Sequence, residues 1–175
     1  MRTLRLIGLL FVITLCLCMH AYANDNYPDR KAIILNICPY VELSGFSFAN
    51  VEFGDKFQQD MSWKNIGNQP LVAFEIVTLK YDAFNRRMIG SRWIVSGKNS
   101  IDWNPLEPGN SGKDGTRSFG EEEVFTGIAY VRIARLKDGT IWRVDDAKLL
   151  EQLNKAAPEI QEFGDVKPDP KPKPN

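Results

Sequence analysis

The chain has 175 residues, of which 43% are hydrophobic and 25% are charged, and its 22 basic side chains balance 22 acidic ones. This composition is typical of a single globular domain. Apart from the C-terminal tail, the basic residues are scattered, which argues against a nucleic-acid-binding protein, because a phosphate-binding surface needs a basic excess or a basic cluster.

The first 23 residues have the pattern of a secretory signal peptide. Arg2 and Arg5 precede an apolar run at residues 6–18, and residues 21–23 (Ala-Tyr-Ala) form a small-x-small cleavage site. The apolar run is shorter than the ~20 residues that a membrane-spanning helix needs. We therefore predict cleavage after Ala23 and a periplasmic or secreted protein without an integral membrane span.

Cleavage would change the available chemistry, because the one histidine, His20, and two of the three cysteines lie before residue 24. Without Arg2 and Arg5, the chain would have 20 basic and 22 acidic residues, which gives a net charge of −2 (20 − 22). The usual serine and cysteine hydrolases need an imidazole to move a proton near neutral pH. Structural zinc sites draw on Cys and His. We therefore predict no enzyme of these classes, no metal or other cofactor, and no nucleic-acid partner.

Short stretches rich in β-branched and aromatic residues follow the leader. The candidate strands are residues 31–37, 46–53, 57–64, 71–81, 88–96 and 126–136. The stretch 71–81 (LVAFEIVTLKY) is apolar on both faces, which indicates a central strand. Residues 65–70 and 82–87 are rich in turn-forming types, and residues 99–115 are predicted to form a long loop.

Residues 138–139 (Asp-Gly) lie between two β-rich stretches, which is typical of a type I′ hairpin turn. If these two residues form the whole loop, Arg135 pairs with Trp142 and Ile133 pairs with Val144. Ile133, Trp142 and Val144 would then share the core face, and the Arg135 guanidinium would lie over the Trp142 ring.

The domain boundaries follow from these elements. Residues 24–145 are predicted to form a mainly β, antiparallel, immunoglobulin-like β-sandwich, because about seven short strands alternate with turn signals. Residues 146–157 are predicted to form a short C-terminal helix, for which Asp145 or Asp146 is a suitable cap. Residues 158–175, rich in proline and lysine, are predicted to form a disordered tail.

Residues 61–90 (MSWKNIGNQPLVAFEIVTLKYDAFNRRMIG) resemble the central part of bacterial extracytoplasmic immunoglobulin-like domains of the FxLYD type. Residues 106–112 (LEPGNSG) are similar to a later Pro-Gly turn of that family, and the resemblance spans about residues 57–145. The name-giving Phe-x-Leu is absent, because Thr-Leu-Lys precedes the Tyr-Asp pair. The matching residues are Lys64, Asn65, Gly67, Asn68, Tyr81 and Asp82. The resemblance implies a β-sandwich and an exported accessory or binding module, with no catalytic residues to carry over.

Trp103, flanked by Asp102 and Asn104 in the predicted long loop, is the best candidate binding residue. An aromatic ring beside an amide and a carboxylate suits a sugar ligand. The alternative is core packing, which is expected for the other three tryptophans because they lie in predicted strands.

Cys38 and the acidic run at residues 121–123 have two interpretations each. Cys38 can form an intermolecular disulfide in an oxidising compartment, or it can be a small buried hydrophobe, which its apolar flanks favour.

The acidic run can bind a cation or act as an acid–base pair, but neighbouring strand residues point to opposite faces. A solvated charge run is the preferred interpretation.

Together these features predict an exported, non-catalytic binding or accessory module that contacts a protein partner or a cell-envelope component such as a glycan. Two alternatives remain open. One is a carbohydrate-binding module that works through Trp103, and the other is a glycan hydrolase that uses only carboxylates.

Overall fold

The computed structural model describes residues 30–51, 56–97, 104–119, 121 and 123–164. This part of the chain is mainly β, with two sheets and one C-terminal helix. Its elements are β1 (Lys31–Leu35), β2 (Val41–Val51), β3 (Lys56–Asn65), β4 (Leu71–Tyr81), β5 (Arg87–Ser96), β6 (Ser111–Ser118), β7 (Thr126–Leu136), β8 (Ile141–Arg143) and α1 (Asp146–Ala156). The predicted signal peptide lies outside the described residues. Within them, no helix is long and apolar enough to cross a membrane.

The two sheets differ in size and strand direction. The larger sheet has the order β1-β7-β4-β5, with β8 also paired to β7, and the smaller sheet has the order β2-β3-β6. All pairs are antiparallel except β1 and β7, which run parallel from Lys31 opposite Thr126 to Leu35 opposite Tyr130. The prediction of a fully antiparallel sandwich is therefore wrong at β1. A parallel pair needs a long connection, and five strands separate β1 from β7 along the chain.

Strand β4 is central and buried on both faces, which confirms the prediction from its sequence. On one face, Leu71, Phe74 and Ile76 belong to an apolar core between the two sheets. On the other face, Val77 and Leu79 belong to a second core. That second core also contains Leu149 and Leu153 of α1 and the later residues Ile160 and Phe163. Each large apolar side chain that becomes fully buried stabilises the fold by about 1.5–3 kcal/mol.

Helix α1 begins where the sequence predicts and leads into a packed segment. The Asp145 carboxylate accepts hydrogen bonds from the main-chain N–H groups of Ala147 at 2.9 Å and Lys148 at 3.0 Å, which makes Asp145 the N-cap. Residues 158–164 were predicted to belong to the disordered tail, and this is wrong. Ile160 and Phe163 are 2% and 4% exposed, because they extend the apolar face of α1 over the larger sheet. Residues 165–175 lie outside the described residues.

The loop between β7 and β8 has three residues, not the two that were predicted. The N–H of Leu136 donates to the Thr140 carbonyl at 2.9 Å, and the N–H of Gly139 donates to the Leu136 carbonyl at 3.1 Å. Gly139 has a φ of 92°. A turn closed by a left-handed glycine is the usual three-residue hairpin with a bulge. The Asp138 carboxylate supports it by accepting from the Thr140 N–H at 2.8 Å.

The extra loop residue shifts the register of the hairpin by one position. Arg135 lies opposite Ile141, and Ala134 lies opposite Trp142. The predicted pairing of Arg135 with Trp142, and the core face that Ile133 was expected to share with Trp142, are therefore wrong. A slip of one residue moves each side chain to the other face of the sheet. Arg135 and Ile141 thus lie together on the face opposite the inter-sheet core.

Candidate functional site

The sequence-predicted sugar site falls mostly outside the described residues. Trp103 and Asp102 belong to the part of the chain that is not described, and Asn104 is exposed at the start of the next described segment. Two residues later, Leu106 is fixed to Leu71 by main-chain hydrogen bonds of 2.8 and 3.0 Å. The sugar site at these three residues stays a prediction.

The other tryptophans pack in the core, as predicted. Trp63 is fully buried, and Trp93 and Trp142 pack against the inter-sheet core as partly buried residues. The rings of Trp63 and Trp93 meet edge to face, with centroids 6.3 Å apart. These three indoles therefore do not form an exposed stacking platform.

Cys38 is a buried thiol. Its side chain is 4% exposed, and it is not in a disulfide. Burial raises the pKa of the Cys38 thiol above its ordinary value, and hydrogen bonds with the main chain of Tyr40 and Val41 offset part of that rise. The geometry agrees with a small buried hydrophobe, because a disulfide to a second molecule would first require local opening of the chain.

The acidic run contains a structural ion pair. Glu121 accepts hydrogen bonds from the Lys80 ammonium at 2.7 Å and from the Ser118 hydroxyl at 2.9 Å. The Lys80 side chain is 1% exposed, and its nitrogen lies 5.6 Å from the centre of the Phe57 ring. Glu123 is exposed and Glu122 is not described. Glu121 is therefore part of the packed structure and not of a solvated charge run. Among the described residues, no group of three His, Cys, Asp or Glu side chains is placed to hold a metal ion.

The register of the paired strands shows which residues lie on the outer face of the larger sheet. Residues that lie opposite each other on paired strands leave the sheet on the same side. One row contains Ile141, Arg135, Ala73 and Ser96, and the next contains Arg143, Ile133, Glu75 and Ile94. The row between them contains Trp142, Ala134, Phe74 and Val95, which belong to or pack against the inter-sheet core. The first two rows therefore face outwards, on the side that α1 covers farther along the sheet.

We call the residues Ile94, Ile133, Arg135, Ile141 and Arg143 the outer-face patch. Ile94 and Ile141 are 49% and 48% exposed, and both arginines are exposed. Partly exposed isoleucines between arginines give a surface that is apolar and basic at once. Because the residues come from β5, β7 and β8 of one sheet, their positions are fixed by the ladder hydrogen bonds.

The acidic groups beside the patch have their own arginine partners. Glu75 is 8% exposed and lies 3.5 Å from the Arg92 guanidinium. Asp146, at the start of α1, accepts a hydrogen bond from Arg132 at 3.1 Å. In the described part of the chain, no acidic side chain forms an ion pair with either arginine of the patch. Both guanidinium groups are exposed, and a guanidinium is a group that can pair with a carboxylate through two hydrogen bonds.

A shallow groove of about 610 Å³ crosses the outer face of the smaller sheet. Its floor includes Asp60 and Ser62 of β3, and Lys113 and Gly115 of β6. A Cβ atom on Gly115 would lie 2.5 Å from Asp60 Oδ1, so glycine is what allows this carboxylate to lie across β6. Gln58 donates a hydrogen bond to the other carboxylate oxygen at 2.7 Å. The residues that line the groove provide hydrogen-bond acceptors and one ammonium group. Phe46 is the one aromatic residue among the described residues of this lining.

The comparisons with known proteins found matches among solved structures only. No protein-family model matches the chain, and no curated protein matches it. A hypothetical protein from Peptoclostridium difficile 630 aligns with 76% of this chain and 93% of its own, at 11% identity and a TM-score of 0.49. The putative ApaA protein from Bordetella pertussis aligns with 61% of this chain and 88% of its own, at 13% identity and a TM-score of 0.40. No family follows for this chain from these comparisons.

Proposed function

We propose that this protein is an exported, non-catalytic binding module that docks a protein partner through the outer-face patch. The observation that carries the proposal is the patch itself, in which two arginines lie among three isoleucines of one sheet and form no ion pair with an acidic residue of the described chain. Arginine is over-represented among the residues that dominate binding energy at protein interfaces, and the buried centre of an interface is more apolar than the rest of the surface.

The order of the strands supports an immunoglobulin-like architecture as part of this proposal. The smaller sheet, β2-β3-β6, corresponds in order to strands A, B and E of an immunoglobulin domain. The antiparallel part of the larger sheet, β5-β4-β7-β8, corresponds to strands C′, C, F and G. Strand β1 is then an addition that runs parallel to strand F. In variable immunoglobulin domains the binding loops cluster at one end of the sandwich, but function depends on the site and not on the fold alone.

Export is supported by the leader-like sequence of the first 23 residues. Removal of that segment would remove the one imidazole of the chain, which supports the non-catalytic part of the proposal. Intact-mass measurement of the protein purified from a periplasmic extract is expected to give a chain that starts at Asn24. A mass that retains residues 1–23, or turnover of a substrate in a hydrolase screen, would contradict the proposal.

Site-specific photo-crosslinking in the native envelope tests the docking surface. A photoreactive residue at position 141 is expected to capture a discrete partner, whereas one at position 150, which is 44% exposed on α1, is not. The double variant Arg135→Glu/Arg143→Glu is expected to reduce capture at least tenfold, because it places like charges against an acidic partner.

The matched control is Lys64→Glu/Lys113→Glu, which makes the same charge change on the outer face of the smaller sheet. Both double variants replace exposed side chains, so unchanged thermal unfolding should accompany each of them. Equal loss of capture by the two variants would show that net charge, and not the outer-face patch, governs docking.

A second candidate function, saccharide binding, is favoured by the groove on the smaller sheet. A volume of about 610 Å³ lies within the usual range for small-ligand sites, and the groove presents hydroxyl, carboxylate and ammonium groups to a polyhydroxylated ligand. A glycan array with wild type, Asp60→Ala and Trp103→Ala distinguishes three outcomes: a site in the groove, the site predicted at Trp103, and no glycan binding.

A further inference from the structure

Strand β5 ends the larger sheet with main-chain groups that point away from the molecule. The Gly97 N–H donates to the Val72 carbonyl at 3.2 Å, and this fixes which pairs of the β4–β5 ladder exchange hydrogen bonds. Because hydrogen-bonded and non-hydrogen-bonded pairs alternate, the N–H and C=O groups of Arg92, Ile94 and Ser96 face away from β4. In the described chain, no strand pairs with β5 on that side.

The β5 edge differs from the other strand edges of the described chain. On the opposite side of the larger sheet, β1 has five residues and β8 has three. In the smaller sheet, β2 contains a bulge and β6 is a polar strand with two glycines. Short, bulged or polar edges resist pairing with another chain. Strand β5 has ten residues and the sequence Trp-Ile-Val at positions 93–95, which makes it a template for a further strand.

We propose that two copies of this chain pair through β5, antiparallel, about a two-fold axis at Ile94. In this arrangement Ile94 lies opposite Ile94 of the second copy, and Arg92 lies opposite Ser96 of the second copy. The outward N–H and C=O groups of both strands then bond to each other, and a ten-stranded sheet crosses the dimer. Ile94 is 49% exposed in the single chain, and the pairing buries it against its own copy.

Charge disfavours a competing register. Moving the two-fold axis by two residues, from Ile94 to Arg92, would set two guanidinium groups directly opposite each other, which is destabilising. With the axis at Ile94, Arg92 keeps its intramolecular partner Glu75 and faces a hydroxyl group. The bulge in the β4–β5 pairing between positions 78 and 80 of β4 then limits the paired region to the second half of β5.

The dimer brings together two copies of the outer-face patch. Ile94 belongs to both the β5 edge and the patch, so the two patches continue into one surface across the two-fold axis. A dimer of this kind is isologous, since the same residues contribute from both copies. This proposal concerns self-association and does not depend on the docking partner proposed above.

Two measurements test the proposal on the protein purified after export through its own leader. The native mass, measured by light scattering at increasing concentration, is expected to approach that of two chains. Ile94→Lys is expected to weaken the dimer at least tenfold by placing two ammonium groups at the axis. The control is Ile89→Lys, which changes a residue that is 80% exposed on the same strand but lies outside the paired region.

Cysteine crosslinking gives the register directly. Opposite residues in a hydrogen-bonded antiparallel pair have Cα atoms about 5.5 Å apart, a separation that a disulfide spans. Ile94→Cys is therefore expected to give a covalent dimer on mild oxidation, and Ile141→Cys, equally exposed on the far side of the sheet, is not. A native mass of one chain at every concentration, or equal crosslinking of the two variants, overturns the proposal.

Discussion

Asn65 shows at the residue scale why one amide in a turn matters to the whole fold. It is fully buried, and its side-chain nitrogen donates to the carbonyls of Gln69 at 2.9 Å and Leu106 at 2.8 Å. Its side-chain oxygen accepts from the Gly67 N–H at 2.9 Å. One side chain thus joins the β3–β4 turn to the segment before β6. This explains in physical terms an asparagine that the sequence analysis identified only as a turn residue and as a match to the resembled family.

Asn65→Ala is expected to lower the free energy of unfolding by about 2–4 kcal/mol, because it leaves buried main-chain groups without hydrogen-bond partners. Urea denaturation followed by tryptophan fluorescence measures this loss. The control is Asn154→Ala, at an exposed helix position whose amide donates to the Leu150 carbonyl. A loss for Asn65→Ala no larger than that of the control would contradict the structural role.

The two partners of the buried ion pair are expected to differ in their response to mutation. Lys80 is 1% exposed, whereas the Glu121 side chain is 25% exposed. Glu121→Gln removes the charge that compensates a buried ammonium, and we expect a loss of stability of about 3–5 kcal/mol. Lys80→Met leaves a carboxylate that water can reach and adds apolar contact, so we expect a smaller loss. Chemical denaturation of both variants checks the order, and the reverse order would contradict it.

The Asp82 carboxylate makes the turn between β4 and β5 sensitive to pH. Burial acts to raise the pKa of Asp82, but hydrogen bonds from the Arg86 N–H and guanidinium and from the Phe84 N–H outweigh it and lower the pKa below its ordinary 3.8. A lowered folded-state pKa stabilises the protein at pH values above 3.8, and that stabilisation disappears as the pH falls through the folded-state value.

Asp82→Asn is therefore expected to be less stable than wild type at pH 7, with a difference that shrinks as the pH falls below about 4. Denaturation curves for both proteins between neutral and acidic pH measure the difference. A gap that stays constant over the whole range would show that the carboxylate charge is not what holds the turn.

At the scale of elements, the sequence predicts those strands that bury apolar side chains. Strand β4 was predictable because both of its faces are apolar, and α1 was predictable from its Asp145 cap and its leucines. Strand β6 (Ser111–Ser118) was missed and partly assigned to a long loop, because none of its side chains is buried. Pairing with β3 and not apolar burial holds β6 in place, so no hydrophobic period marks it.

The outer-face patch could not be predicted for a different reason. Its composition depends on whether the hairpin loop has two residues or three, and an Asp-Gly pair is compatible with both. The predicted register placed Arg135 opposite Trp142, whereas the observed register places it opposite Ile141. A difference of one residue in the loop thus decides whether Arg135 pairs with Trp142 on the core face or lies in the exposed outer-face patch.

The segment after α1 gives a test at this scale. Phe163 is 4% exposed, and its ring packs edge to face on Tyr81 with centroids 6.4 Å apart. Phe163→Ala is expected to lower the free energy of unfolding by about 3 kcal/mol or more, through lost burial and a residual cavity. The control is Leu150→Ala, at a residue 44% exposed on α1. Similar thermal unfolding of wild type and Phe163→Ala would show that this segment does not support the second core.

At the scale of the whole molecule, the two faces of the larger sheet are covered to different extents. Its inner face is covered by the smaller sheet, while α1 and the following residues cover one end of its outer face and leave the outer-face patch open. The total charge of the chain is balanced, but the outer-face patch is locally basic, because the nearby acidic residues Glu75 and Asp146 are paired with other arginines. An exposed field of one sign steers an oppositely charged partner even when the net charge is near zero.

Retention on a sulfonate cation-exchange resin tests this charge distribution without knowledge of the partner. A protein with a net charge near zero adsorbs through its most basic face, and that adsorption weakens with salt because exposed charges are screened. Arg135→Glu/Arg143→Glu and Lys64→Glu/Lys113→Glu change the total charge equally, so any difference in elution reports position. We expect the first double variant to elute at clearly lower salt than the second. No described acidic side chain pairs with Arg135 or Arg143, whereas Lys64 lies opposite Glu42 and Lys113 lines the same groove as Asp60. Elution of both variants at the same salt concentration would mean that the outer-face patch does not dominate the surface field, and the docking proposal would lose its electrostatic basis.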